Sequence, residues 1–204
     1  MRPGLLPALV LAAGCGLAQA AEPEAEGVPT AAQPASQTSS AAASPSFGSA
    51  LDPWLAVKRL LGNWVGESTG QAGAGQLTRS YRLVMGGRYV QENSETRFPA
   101  SEKHPLGQLH QHWAMFSLDK AQKAIVLRQF HIEGIVSTYL QAHPVAGAAL
   151  VFESHQFENF NAQWKARERY EFVSPDEFVE IFELAAPGQP YQTYSRSHLK
   201  RQLR

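Results

Sequence analysis

Charged side chains set among apolar neighbours are the residues of this chain best placed to do chemistry. Arg82, Glu92, Arg128, Glu168, Glu180 and Arg196 each alternate with apolar residues, so some are expected to point inward. The sharpest case is the segment 164–172. Trp164, Ala166, Tyr170 and Phe172 share one face, Lys165, Arg167, Arg169 and Glu171 the other, and Glu168 falls on the apolar face. A carboxylate there needs a partner or a raised pKa. A salt bridge to Arg82 or Arg128 would supply the partner, and Glu168 with Tyr170 forms a candidate ligand-binding pair. Arg128, between Leu127 and Gln129 and flanked on its own face by Val126 and Phe130, is the preferred interior guanidinium. In a low-dielectric cavity such a group holds a carboxylate ligand strongly.

His110-x-His112 puts two imidazoles on one strand face, a spacing that metal sites use. If 119–122 is a four-residue loop, Leu118 pairs with Lys123, His131 sits opposite His110, and Gln129 opposite His112. Three imidazoles would then converge. With no carboxylate adjacent in sequence, they are read as a polar outer face or a hydrogen-bonded interior cluster, and no metal site is assigned. There is no Ser-His-Asp signature, no Gly-x-Ser-x-Gly and no phosphate-cradling glycine loop before a helix. No catalytic residue is named, and the chain reads as a binder rather than an enzyme.

These residues must be held by a sheet. Asp52-Pro53 marks a helix start, with Asp as cap and Pro at the first helical position, and Trp54, Val57, Leu60 and Leu61 follow at helical spacing. The period then switches to two. Strands are expected at residues 64–69, 77–84, 88–98, 108–118, 124–132, 135–142, 149–156, 163–173, 178–185 and 191–203. The segments between them are short, and Gly86-Gly87 is a hairpin signal. Short gaps without intervening helices favour antiparallel neighbours. The expected fold is therefore all-β, a roughly ten-stranded antiparallel barrel with a short N-terminal helix, and closure removes its edge strands. Trp64 is expected to turn inward, plug one end and border any ligand.

The opening Gly62-x-Trp64-x-Gly66, led by a short helix, resembles that of the calycin superfamily, which includes lipocalins and fatty-acid-binding proteins. Within it the chain resembles nitrobindin-type haem-binding barrels and uncharacterised secreted bacterial domains. The resemblance implies a calycin-like barrel carrying a small hydrophobic ligand, fatty-acid-like or haem. Such barrels hold haem iron through a His on the last strand, a few residues after a Gly-x-Pro turn. Gly188-Gln189-Pro190 matches the turn, Tyr194 occupies the ligand position, and His198 follows four residues on. The resemblance thus makes Tyr194 and His198 the candidate haem ligands. It also implies an alternative, haem-dependent chemistry on reactive nitrogen or oxygen species. A further alternative is a ligand-free interaction domain of the cell envelope.

The address is read from the start of the chain. A basic Met1-Arg2, an apolar run from Leu5 to Ala13 and the small-x-small Ala18-Gln19-Ala20 form a signal peptide over residues 1–20. The alternative is lipidation at Cys15 after Ala12-Ala13-Gly14, which would give the chain its sole membrane attachment. Residues 21–50 are rich in Ala, Ser and Pro without apolar periodicity and are expected to be a disordered linker. The domain proper is 51–204, in the periplasm or outside the cell. Over the whole chain 18 Lys+Arg balance 18 Asp+Glu. That balance gives no electrostatic case for nucleic acid.

Overall fold

The computed structural model describes residues 54–102, 104–142 and 149–202. The expectations for the signal peptide, Cys15, the linker and the Asp52-Pro53 cap lie outside the described residues.

Helix α1 (Trp54–Lys58) leads into ten strands: β1 (Gly62–Gly70), β2 (Gly73–Val84), β3 (Tyr89–Phe98), β4 (Gln108–Asp119), β5 (Ala124–His131), β6 (Val136–Gln141), β7 (Ala149–Glu158), β8 (Lys165–Ser174), β9 (Glu177–Ala185) and β10 (Gln192–Arg201). Each strand pairs antiparallel with its neighbour in sequence, and β1 pairs with β10 to close the barrel. The expected meander is the observed one. The helix is shorter than expected: Leu60 and Leu61 lie in the turn beyond it, held by 3₁₀-type bonds from Leu60 N to Val57 O and from Leu61 N to Lys58 O.

Two local differences have clear causes. The glycine-rich stretch 71–75 is mostly strand, not loop, because Gly73 and Gly75 pair with Gly70 and Ser68 of β1. A Cβ on Gly75 would strike the ring of Phe98 at 2.8 Å, so the missing side chain makes room for an aromatic. The β4–β5 turn keeps its four residues but lies one residue later in the chain than the assumed pairing puts it. Asp119 pairs with Ala124, and its Oδ1 accepts from the backbone N–H groups of Ala121 and Gln122.

The opening motif has a physical meaning at the seam. A Cβ on Gly66 would lie 1.9 Å from the carbonyl oxygen of His198, and one on Gly70 would lie 2.2 Å from that of Tyr194. Only glycine lets β10 approach β1 this closely.

The two ends of the barrel differ. Under α1 the inward residues are large and buried: Val57, Leu60, Trp64, Tyr81, Phe116, Phe178 and Leu199 form one cluster. Trp64 Nε1 donates to Leu60 O at 2.6 Å, its ring meets Phe178 edge-on at 4.7 Å, and the Arg201 guanidinium lies over it at 4.2 Å. Toward the opposite end, Phe157, Phe182 and Leu184 pack on the core but stay partly exposed. The barrel is plugged at the helix end and open at the other.

Candidate functional site

Alternation along each strand places a layer of polar side chains across the middle of the barrel. On β2, Leu77, Arg79 and Tyr81 point inward, and Thr78 and Arg82 point out. Arg79 is therefore the interior guanidinium. Its Nη1 donates to Glu180 Oε1 at 2.6 Å and contacts Tyr81 Oη at 3.3 Å, while its Nε lies 3.1 Å from Glu92 Oε1 and 3.2 Å from Ser94 Oγ. Burial disfavours the Glu92 carboxylate, but Arg79 and His112 more than offset that and hold its pKa below the ordinary range.

Glu168 is inward and buried, as its sequence pattern implied, but among the described residues its partners are neutral. Gln129 Nε2 donates to its Oε1 at 2.8 Å and Tyr170 Oη to its Oε2 at 2.8 Å. Burial, followed by the nearby Glu180 and Glu92, pushes its pKa up to about 8, and the two hydrogen bonds oppose the rise. The two arginines expected to pair with it are outside. Arg82 bonds Asn63 Oδ1 and the carbonyls of Gly62 and Tyr81. Arg128 is exposed on the outer face, with Nη1 donating to Ser117 Oγ at 3.2 Å. The interior arginine expected at 128 is thus Arg79. The apolar character of Leu77 and Tyr81 on the same face was the signal that could have found it.

Two buried acceptors of this layer, Glu92 Oε2 and Gln129 Oε1, have no donor among the described residues. Such an orphan costs roughly 1–3 kcal/mol unless a donor reaches it. Three carboxyl groups (Glu92, Glu168 and Glu180) thus share the layer with one guanidinium that is already engaged.

Above the layer, toward the open end, His110 and His112 point inward from β4 and His131 from the end of β5. His112 pairs with His131, and His110 lies one step nearer the mouth. The register is two residues from the assumed one, an even offset that leaves every side chain on its face. The three rings converge, with centroids 6.0, 5.8 and 5.5 Å apart. Burial, and then the two neighbouring imidazoles, lower the pKa of His131 to about 3.

The two candidate haem ligands separate. A bulge between Thr193 and Ser195 breaks the even spacing on which a shared face depended. Tyr194 is half-buried with its ring 5.7 Å from Phe182, and burial raises its pKa above the ordinary value. His198 is half-exposed on the outer face and paired with Glu177. His198 is turned away from the interior, whereas Tyr194 stands at the mouth against Phe182, so the two cannot ligate one haem iron together and His198 does not fit the site that the resemblance implies. Trp64 and Tyr170 do face inward, Trp64 as part of the plug and Tyr170 as the donor to Glu168.

No family model and no curated protein matches the chain. Solved structures do. The crystal structure of Rv2717c from M. tuberculosis aligns with a TM-score of 0.54 at 17% identity, over 74% of this chain and 98% of that one. EF1p2_mFAP2b bound to DFHBI aligns at 0.40 with 12% identity, over 72% of this chain and 97% of that one. A redesigned β-barrel aligns at 0.40 with 11% identity, over 76% and 100%. At these identities the likeness to Rv2717c shows the barrel fold alone.

Proposed function

We propose that this chain is an exported binding barrel that holds a small molecule in its open half, over the polar layer. The observation that carries this reading is the pair of orphaned buried acceptors, Glu92 Oε2 and Gln129 Oε1, beneath a mouth walled by Phe157, Phe182, Leu184 and Tyr194. An occupant with an apolar body and a hydrogen-bond-donating head meets both surfaces. The head is neutral or cationic. A fatty-acid carboxylate would face three carboxyl groups and a guanidinium already held by Glu92 and Glu180. Export is supported by the basic start, the apolar run and Ala18-Gln19-Ala20.

The test uses two fluorescent amphiphiles of equal chain length, one ending in an ammonium and one in a carboxylate. The ammonium probe is expected to bind saturably and to lose affinity in Phe182→Ala, with the fold checked by circular dichroism. Saturable binding of neither probe, or binding indifferent to Phe182→Ala, would sink the proposal. Preference for the carboxylate would return a fatty-acid-like ligand in its place.

A second reading has its own observation. Trp113, Phe130 and Ile132 are exposed on the outer face of β4–β5, and the rings of the first two lie 5.4 Å apart. They border a concavity of about 570 Å³ that also takes in Thr78, Ser80, Asn93 and Gln111. An apolar patch of this kind favours an envelope interaction domain.

A further inference from the structure

We propose that His110, His112 and His131 form a binding site for one divalent transition-metal ion at the open end of the barrel. The inference does not depend on the occupant proposed above. One ring nitrogen from each histidine lies within 4.8 Å of one from each of the others. A tetrahedral ion with bonds of about 2.1 Å needs nitrogens about 3.4 Å apart, so rotation of the side chains closes the difference.

Hydrogen bonding separates a metal site from a merely structural cluster. None of the three imidazoles bonds to another among the described residues. Each instead has one nitrogen turned to a partner outside the cluster. His112 Nε2 meets Glu92 Oε1 at 3.0 Å, His110 Nδ1 meets Glu133 Oε1 at 2.8 Å, and His131 Nε2 lies 3.5 Å from Ser137 Oγ. That leaves His110 Nε2, His112 Nδ1 and His131 Nδ1 as the ligand atoms. Metal-ligating histidines are characteristically held this way, by a carboxylate or another acceptor on the far nitrogen. No carboxylate directly neighbours these histidines in sequence. The fold supplies two, Glu92 from β3 and Glu133 from the β5–β6 turn.

Three imidazole donors suit zinc, copper, nickel or cobalt rather than magnesium or calcium, which take oxygen. Three protein ligands leave a fourth position for water or a bound molecule. His110 has 34% of its side chain exposed and His112 9%, so an ion enters from the mouth and stops at the layer beneath.

The experiment is a titration of the metal-free protein, purified without a polyhistidine tag, with Co²⁺ followed by visible absorption. The expected result is an intense tetrahedral d–d spectrum that saturates at one equivalent and is displaced by Zn²⁺. His110→Gln, at the rim and safest for the fold, should abolish the spectrum or weaken binding at least 100-fold, and His112→Gln and His131→Gln should do the same. Glu133→Gln should weaken it by about 10-fold or more by freeing the His110 ring. Absence of the tetrahedral spectrum, or a spectrum unchanged by His110→Gln, overturns the site. Loss of the metal site would leave binding of the ammonium probe in place, so the two proposals fail separately.

Discussion

Arg79 and Arg128 are the same residue type on the same barrel, and the face of the strand decides what each is worth. Arg79 is buried between Glu92 and Glu180, whereas Arg128 reaches Ser117 in solvent. Replacing Arg79 with Leu strands two buried carboxyl groups and is expected to cost about 3–5 kcal/mol in urea denaturation. Arg128→Ala should stay within about 0.5 kcal/mol of the parent chain. Glu168 gives a prediction in pH. Its folded pKa of about 8 lies above the ordinary 4.5, so the folded chain keeps a proton that the unfolded chain releases. The contribution of the protonated carboxyl is complete below about pH 4.5 and is lost as pH rises to about 8. Melting temperatures of Glu168→Gln and the parent should therefore coincide near pH 4.5 and diverge upward in favour of the variant by pH 8–9. Curves that stay parallel across that range would refute the raised pKa.

At the scale of elements, the seam between β1 and β10 is the least forgiving contact. Gly66 faces the backbone of His198 with no space for a methyl group. Gly66→Ala is expected to destabilise the barrel by about 3 kcal/mol or more, because the obstacle is main chain that cannot swing aside. The same Ala at Gly134, where an added Cβ meets nothing within 4 Å, carries only the strain of its φ of +80°. That cost is about 1–2 kcal/mol. Equilibrium unfolding of the two variants side by side checks the order. The Phe157–Phe160–Trp164 chain of ring contacts, 5.2 and 6.2 Å apart, ties the β7–β8 turn to the mouth wall. The binding reading therefore needs that turn as much as it needs the strands.

For the whole molecule, a closed ten-stranded barrel with one plugged end should not be uniformly stable. The inward residues beneath α1 are buried and aromatic, while several near the mouth are partly exposed. Hydrogen exchange is expected to be slowest in the helix-end halves of β1, β2, β8 and β9 and faster toward the loops of the open end. Uniform protection from end to end would contradict the division into plug and mouth. The same division places each candidate chemistry: a packed floor, a polar layer with two free acceptors, and a rim with three imidazoles.

What could be read from the sequence follows local rules. Period-two alternation and short turns gave ten strands in antiparallel order, and the alternation of 164–172 put Glu168 inside, since a side chain's face is fixed by its neighbours on one strand. Partners are not local. Whether Val126, Arg128 and Phe130 or Ile125, Leu127 and Gln129 face the core cannot be read from a segment apolar on both faces. Pairing with β4 and β6 decided it. The β10 bulge that parts Tyr194 from His198 adds one residue and leaves no composition mark. The carboxylates behind His110 and His112 come from a turn and from a strand about twenty residues away, so only the closed sheet brings them to the imidazoles. Away from the β10 bulge, the sequence determined which residues of a strand share a face; only closure of the barrel decided which face is the inner one and what each residue meets, because cross-strand register is a property of pairs of segments and not of either alone.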